Sequence, residues 1–268
     1  MGAGVIRVAV AGAAGRMGRE VVRAVVEAEG MTLVAAIDHH EIGRDAGEVV
    51  GVAAQGVAIE SDLAAALAHA KADVLVDFTV PASALGNIET ALKAGVSPVV
   101  GTTGLTAADL AQVQTWAQAA GIGALFAPNF AIGAVLMMQF AAQAAKYLPD
   151  VEIIELHHEN KLDSPSGTAL MTAQMIVAAR QGTPVLPPAA PIEKIPGGRG
   201  AALDGVHIHS VRLPGYVAHQ EVIFGGLGQT LTLRHDSLDR RSFMPGVVLA
   251  VRRVRALPGL VVGLENLL

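Results

Sequence analysis

The sequence predicts an α/β protein: a Rossmann-like parallel sheet domain followed by a second domain of α+β type with a mixed sheet. Three observations carry the prediction. Over residues 1–130, short apolar runs alternate with helix-like segments across short loops, the pattern of a parallel sheet with helices on both faces. The loop Gly12-Ala13-Ala14-Gly15-Arg16-Met17-Gly18 follows the first run and opens the first helix. After Pro128 the alternation stops, and three strand-like runs follow one another.

Taken in order, Val5–Ala11 (VIRVAVA) is β-branched and bounded by Gly12, which marks a buried strand. Arg16–Glu29 suits a helix and Met31–Asp38 a second strand. Leu63–Lys71 is helical, and Val74–Phe78 is a third strand. Ala82–Ala94 is a helix closed at Gly95, where a left-handed cap costs little. Ser97–Val100, Ala107–Ala120 and Gly123–Ala127 read as strand, helix and strand. In the second domain, Ile132–Leu148 is a long apolar helix, Val151–His157 a strand and Thr168–Arg180 a helix. Gln181–Gly205, rich in proline and glycine, is a long loop or flap. Val206–Leu213, His219–Gly225 and Gln229–Asp236 are successive strands. From Arg241 onward the chain reads as helical and packs back on the first domain, so the expected domains are 1–130 with 241–268, and 131–240.

Composition narrows the function classes. The chain has 268 residues, 52% apolar and 16% charged, enough to bury a core and too apolar for disorder. No apolar run reaches the ~18 residues of a membrane span. The opening MGAGVIRVAVAGAAGRMG reads as a strand and turn rather than a signal peptide. The chain has no cysteine, which excludes disulfides, thiolate catalysis and cysteine-based metal sites, and fits a reducing cytoplasm. A net charge of −5 gives no footprint for nucleic acid. The expected setting is cytoplasmic, with no membrane or nucleic-acid partner.

The first loop is a G-x-x-G-x-x-G variant of the dinucleotide fingerprint. Its glycines allow a tight turn and close approach of backbone N–H groups to a pyrophosphate at a helix start. Asp38, at the end of the second strand, stands where an acid holds the ribose hydroxyls of NAD. His39 and Arg16 can instead hold a 2′-phosphate, so the residues point to NADH with NADPH also open. Two more loops end strands: Phe78-Thr79-Val80-Pro81 and Gly101-Thr102-Thr103-Gly104. Their small and hydroxylic residues suit a nicotinamide and its ribose. Ala127-Pro128-Asn129-Phe130 ends the fifth strand and begins the crossover to the second domain.

The ionisable groups concentrate in Glu155–Leu170, ELHHENKLDSPSGTAL. A metal site is disfavoured, because the adjacent His157 and His158 face apart on a strand. Acid/base chemistry is favoured, since imidazoles and a lysine, Lys161, cluster just past a strand end. Ser166 suits a helix N-cap; Gly167 and Thr168 behind it would present backbone N–H groups to an anion such as a carboxylate. The serine can equally serve as a cap alone. Asp163 reads as a turn residue or an acid supporting the cluster.

The motifs VAVAGAAGRMGR, VDFTVP, GTTG, APNFAIG, ELHHENKLDSPSGTAL and HSVRLPGYVAHQEVIFG occur in this order across nearly the whole chain. In them the sequence resembles the 4-hydroxy-tetrahydrodipicolinate reductase (dihydrodipicolinate reductase) family. The resemblance implies a dinucleotide-binding domain, and a substrate-binding domain that also builds a homotetramer, with hinge closure between the two. It implies reduction, by NADH or NADPH, of the cyclic imine formed from 4-hydroxy-tetrahydrodipicolinate, with loss of water, in diaminopimelate and lysine biosynthesis. It implies His157 and Lys161 as catalytic proton donors, His158 as a substrate contact, and Gly167 and Thr168 as binders of a carboxylate of this small dicarboxylate. Cofactor contacts implied are Gly12, Ala13, Ala14, Gly15, Arg16, Met17, Asp38, Gly101, Thr102, Thr103, Ala127, Pro128, Asn129 and Phe130. His39 stands where many members carry arginine, a departure that bears on NADPH preference.

Overall fold

The computed structural model describes residues 4–180 and 192–268. The chain divides into two compact units, Met1–Phe130 with Phe243–Leu268, and Ala131–Ser242. The return to the first unit falls at Phe243, two residues beyond the expected boundary at Arg241.

The first unit holds β1 (Ile6–Ala11), α1 (Arg16–Glu27), β2 (Met31–Ile37), α2 (Ala46–Val50), β3 (Ile59–Glu60), α3 (Leu63–Ala70), β4 (Val74–Asp77), α4 (Pro81–Lys93), β5 (Ser97–Val100), α5 (Ala107–Ala120) and β6 (Ala124–Phe126). The second holds α6 (Ile132–Ala145), β7 (Asp150–His157), α7 (Gly167–Ala179), β8 (Ala201–Leu203), β9 (Val206–Arg212), β10 (Ala218–Gly226) and β11 (Gln229–Ser237). The chain then returns to the first unit with α8 (Met244–Arg253) and β12 (Leu260–Val262).

The first sheet runs β12-β6-β5-β4-β1-β2-β3, and every pairing is parallel. The chain winds outward from β1 through β2 to β3, then restarts at β4 on the other side of β1. That switch point opens a crevice at the carboxyl ends of β1 and β4, the ligand position in open α/β sheets. The inner strands are buried because both sheet faces carry helices. Ala9, Ile37 and Leu75 pack with Ala66 and Leu67 of α3, while Val100 and Phe126 pack with Ile88 of α4 and Val113 of α5.

Three elements depart from the sequence expectation. β3 and β12 extend the sheet at its two edges, and α2 fills the segment between β2 and β3. A strand of two or three residues is too short to display a period. β12 lies in a stretch that reads as helical, yet it pairs with β6 along Leu260–Val262.

The second sheet runs β11-β10-β7-β9-β8; β7 and β9 are parallel and the other pairings antiparallel. It is therefore mixed, with α7 as the crossover between the parallel pair. Helices α6 and α7 cover one face, through Met137, Ala141, Ala173 and Ile176 against Ile153, Ile208, Val222 and Phe224. The expected loop 181–205 lies partly outside the described residues. Its described end contains β8, which pairs with β9.

The helix-facing side of this sheet changes character along its length. At one level β10, β7 and β9 contribute Val222, Ile153 and Ile208. Two residues on, the same strands contribute Gln220, Glu155 and Ser210, and two further Ala218, His157 and Arg212. Because side chains alternate along a strand, all of these face the same helices. The apolar floor thus gives way to a polar end at the tip of β7.

Candidate active site

In the first unit, β1 ends at Ala11 and the glycine loop turns at once. Gly12 has φ +79°, and a Cβ there would stand 2.8 Å from the Phe78 carbonyl oxygen. A Cβ on Gly18 would lie 1.9 Å from the Gly12 carbonyl oxygen, so only glycine lets α1 start this close to the turn. Gly15 is the N-cap residue of α1 and supplies no side-chain cap, which leaves the helix start to be satisfied from outside.

Asp38 is half-buried beside this loop. Its Oδ2 accepts from the Ala14 amide at 2.9 Å and its Oδ1 from the His40 amide at 2.9 Å. The carboxylate therefore bridges the glycine loop and the end of β2. It borders a cleft of about 640 Å³, with Gly12, Gly15, His39, Ser61 and Thr79 also in its wall. His39 and Arg16 are both exposed.

The other expected cofactor residues, Ala13, Ala14, Arg16, Met17, Gly101, Thr102, Thr103, Ala127, Pro128, Asn129 and Phe130, are not among the residues that line this cleft. Ala13 and Ala127 are buried core residues. A Cβ on Gly101 would meet the Phe78 ring at 2.2 Å, and Phe78 packs against Phe130 at 5.6 Å between centroids. Thr103 and Pro128 are exposed, and Ala14, Met17 and Asn129 half-buried. Thr102 is buried and donates its hydroxyl to Asp77 Oδ1 at 2.8 Å. Sequence reasoning missed Asp77, a fully buried carboxylate at the end of β4. It also accepts from the amide and hydroxyl of Thr79 and from Asn87 Nδ2. The available signal was an acid closing an otherwise apolar strand, a position that demands partners.

In the second unit, β7 delivers His157 at its last position. His157 Nδ1 lies 2.5 Å from Glu155 Oε2. Glu155 is fully buried, in line with Val151 and Ile153. Arg212 of β9 grips it with both guanidinium ends, NH1 to Oε2 at 2.9 Å and NH2 to Oε1 at 2.8 Å. Burial alone would raise the Glu155 carboxyl, but hydrogen bonds from His157, Arg212 and Ser210 outweigh it and hold it at about 2, against an ordinary 4.5. An ionised carboxylate only accepts, so the ring hydrogen sits on Nδ1 and Nε2 is turned away from Glu155.

The loop after β7 folds back under Arg212, whose Nε and NH2 donate to the carbonyls of Lys161 at 3.3 Å and Asp163 at 2.7 Å. Lys161 is paired rather than lone: its Nζ sits 2.7 and 2.9 Å from the two Asp163 carboxylate oxygens. That hydrogen bond holds the Asp163 carboxyl below its ordinary range. His158 is half-buried at the start of this loop.

Ser166 caps α7, accepting from the Ala169 amide at 3.2 Å, while its own amide donates to Glu155 Oε1 at 3.2 Å. Gly167 is exposed, and a Cβ there would meet no atom within 4 Å. The protein's own packing does not require glycine at this helix start. Thr168 is half-buried, and its carbonyl accepts from the Thr172 hydroxyl at 2.7 Å. Among the described residues no group of three or more His, Asp or Glu is placed to hold a metal ion, and no helix is long and apolar enough to cross a membrane.

The chain is matched over almost its full length by one pair of family models. Residues 6–130 match dihydrodipicolinate reductase, N-terminus, and residues 133–268 match dihydrodipicolinate reductase, C-terminus. The chain belongs to the dihydrodipicolinate reductase family. A 4-hydroxy-tetrahydrodipicolinate reductase from Desulfitobacterium hafniense is 56% identical over 268 residues, covering 98% of each chain. One from Moorella thermoacetica is 53% identical over 263 residues, again covering 98% of each. Among solved structures, dipicolinate-bound dihydrodipicolinate reductase from Paenisporosarcina sp. TG-14 superposes with a TM-score of 0.87 at 48% identity, covering 98% of this chain and 100% of that one. An amine dehydrogenase from Mycobacterium smegmatis, at 17% identity and TM-score 0.68 over 96% and 94% of the two chains, shares the fold alone. As a dihydrodipicolinate reductase, the protein is an oxidoreductase that uses a pyridine nucleotide.

Proposed function

We propose that the protein reduces the cyclic imine derived from 4-hydroxy-tetrahydrodipicolinate to tetrahydrodipicolinate, with loss of water, in diaminopimelate and lysine biosynthesis. The observation that carries the residue roles is the joint hold of Glu155 on the His157 ring and on the capped start of α7. One element of that pair suits proton transfer, the other a carboxylate. The Paenisporosarcina relative was solved with dipicolinate, a small dicarboxylate, and the same chemistry suits this helix start.

The glycine cradle and Asp38 fit a dinucleotide. Gly12, Gly15 and the first turn of α1 would take the pyrophosphate, and Asp38 the ribose hydroxyls. Thr79 and the Gly101–Thr103 turn would line the nicotinamide end. NADH or NADPH, when bound, supplies the hydride. Asp38 favours NADH, while exposed Arg16 and His39 leave NADPH open.

In the substrate domain, Gly167 and Thr168 would hold one carboxylate at the α7 start and His158 would contact the ring. His157 would give a proton from Nε2 to the enamine left after reduction. Lys161, held near by its loop, would stabilise developing negative charge or serve as second donor. The face of the second sheet not covered by α6 and α7 carries half-buried Ile154, Val211 and Ile223. The same face carries the Glu152–His209 and Glu221–Arg234 ion pairs, and assembly as a homotetramer rests on the likeness to the family. The reaction's soluble substrate and cofactor suit a cytoplasmic enzyme.

A coupled assay tests the reading: pyruvate, aspartate semialdehyde and the upstream synthase, with oxidation of NADH and NADPH followed separately. Consumption of either is the expected result; consumption of neither overturns the proposal. The His157→Gln variant should lose most of its kcat with little change in cofactor affinity.

A further inference from the structure

We infer that Glu155 is a positioning residue whose two carboxylate oxygens register the proton donor against the carboxylate-binding helix start, and that Arg212 holds it there. The inference rests on the proposed role of His157. Glu155 occupies a position in line with core residues Val151 and Ile153, where an apolar side chain would pack without partners. Instead it is fully buried, and its two oxygens are shared between two devices. Oε2 accepts from His157 Nδ1 at 2.5 Å, and Oε1 from the Ser166 amide at 3.2 Å. Neither partner can move without disturbing the other.

Arg212 completes the arrangement. It is bidentate on Glu155 and also donates to the carbonyls of Lys161 and Asp163, so the loop bearing Lys161 hangs from the same carboxylate. A point-charge cation could neutralise Glu155, but only a planar fork reaches both oxygens while its remaining N–H groups meet the loop. The titratable and charged groups around the His157 ring are Glu155 on its own strand, Arg212 opposite on β9, and His158, Lys161 and Asp163 on the following loop. β10 places Ala218 opposite it. Glu155 is the negative charge in direct contact with the ring. Its removal would leave Arg212 facing the imidazole with no counter-charge.

The test uses the full-length enzyme with Glu155→Gln and Arg212→Lys, read by kcat, KM, the pH profile of kcat/KM and thermal unfolding. Glu155→Gln should lower kcat by about 100-fold, the scale of a lost general acid, and move the alkaline limb of the profile to lower pH. Arg212→Lys should raise KM and lower kcat, each by about tenfold. An unchanged pH profile, with kcat within a few-fold of the parent, would make Glu155 a fold brace only and overturn the inference. If Glu155→Gln fails to fold, 15N NMR of the parent decides: the neutral His157 ring should carry its hydrogen on Nδ1, and the Nε2–H tautomer overturns the inference. The two readings separate through His157→Gln. Normal turnover there removes the proton-donor role itself, whereas an inactive His157→Gln beside a normal Glu155→Gln removes only the positioning role.

Discussion

The Thr102 hydroxyl donates to Asp77 Oδ1 at 2.8 Å, tying the turn after β5 to the end of β4. The same oxygen takes the Thr79 amide and hydroxyl, so one buried carboxylate sets the spacing of two loops at the crevice. Thr102→Val should cost about 1 kcal/mol, the net worth of one hydrogen bond, and lower Tm by a few degrees. It should weaken NADH and NADPH equally, because the residues proposed for the ribose 2′ position are Asp38, His39 and Arg16, on other loops. Titration with each nucleotide alongside a thermal melt checks this; a change in preference would contradict it.

Asp38 presents its carboxylate to the cleft while bonded to the Ala14 and His40 amides. Asp38→Ala removes the proposed ribose acceptor and the charge that would repel a 2′-phosphate. NADH affinity should fall by about tenfold, equivalent to ~1.4 kcal/mol, while NADPH affinity holds or rises. Equal loss of both nucleotides would mean the carboxylate serves only to brace the glycine loop.

Gly167 offers a separable test of the anion site, since an added Cβ meets no protein atom within 4 Å. Gly167→Ala should leave Tm within a degree or two of the parent. It should raise substrate KM several-fold by holding a carboxylate off the α7 N–H groups. A KM equal to that of the parent would place the carboxylate elsewhere.

Acid should find the Glu155 cluster. Its carboxyl titrates at about 2 in the folded chain against an ordinary 4.5. The folded value is the lower one, so the ionised group adds stability at every pH above about 4.5 and loses it as pH falls toward 2. The contribution is on the order of 3 kcal/mol. Urea midpoints measured from pH 6 down to pH 2.5 should fall more steeply for the parent than for Glu155→Gln. Parallel curves would show that Glu155 is not held down in the folded state.

Much of this was legible in the chain. The glycine spacing with Asp38 marked the nucleotide crevice, and ELHHENKLDSPSGTAL marked the strand end and the capped helix. The second signal is local, and the first joins two consecutive strand ends at the fixed offset of a known fingerprint. What stayed hidden depends on register between distant segments. Glu155 and Arg212 are 57 residues apart and meet only because β7 and β9 pair in parallel. Asp77 and Thr102 meet across 25 residues for the same kind of reason. The edge strands β3 and β12 were invisible because so few residues give no period. Lys161 and Asp163 show the opposite case: two positions apart, their pairing was open to sequence reading, which left Asp163 between a turn and a supporting role.

The passage from Val222, Ile153 and Ile208 to Gln220, Glu155 and Ser210 along one sheet face has an evolutionary consequence. The strands that supply the core of the second unit also carry the proposed reactive groups, yet the two tasks occupy different rungs. Substitutions on the polar rungs can retune substrate choice while the apolar rungs go on specifying the fold. A change of specificity in this scaffold should therefore leave Val222, Ile153 and Ile208 untouched and keep Glu155 and Arg212 as a pair.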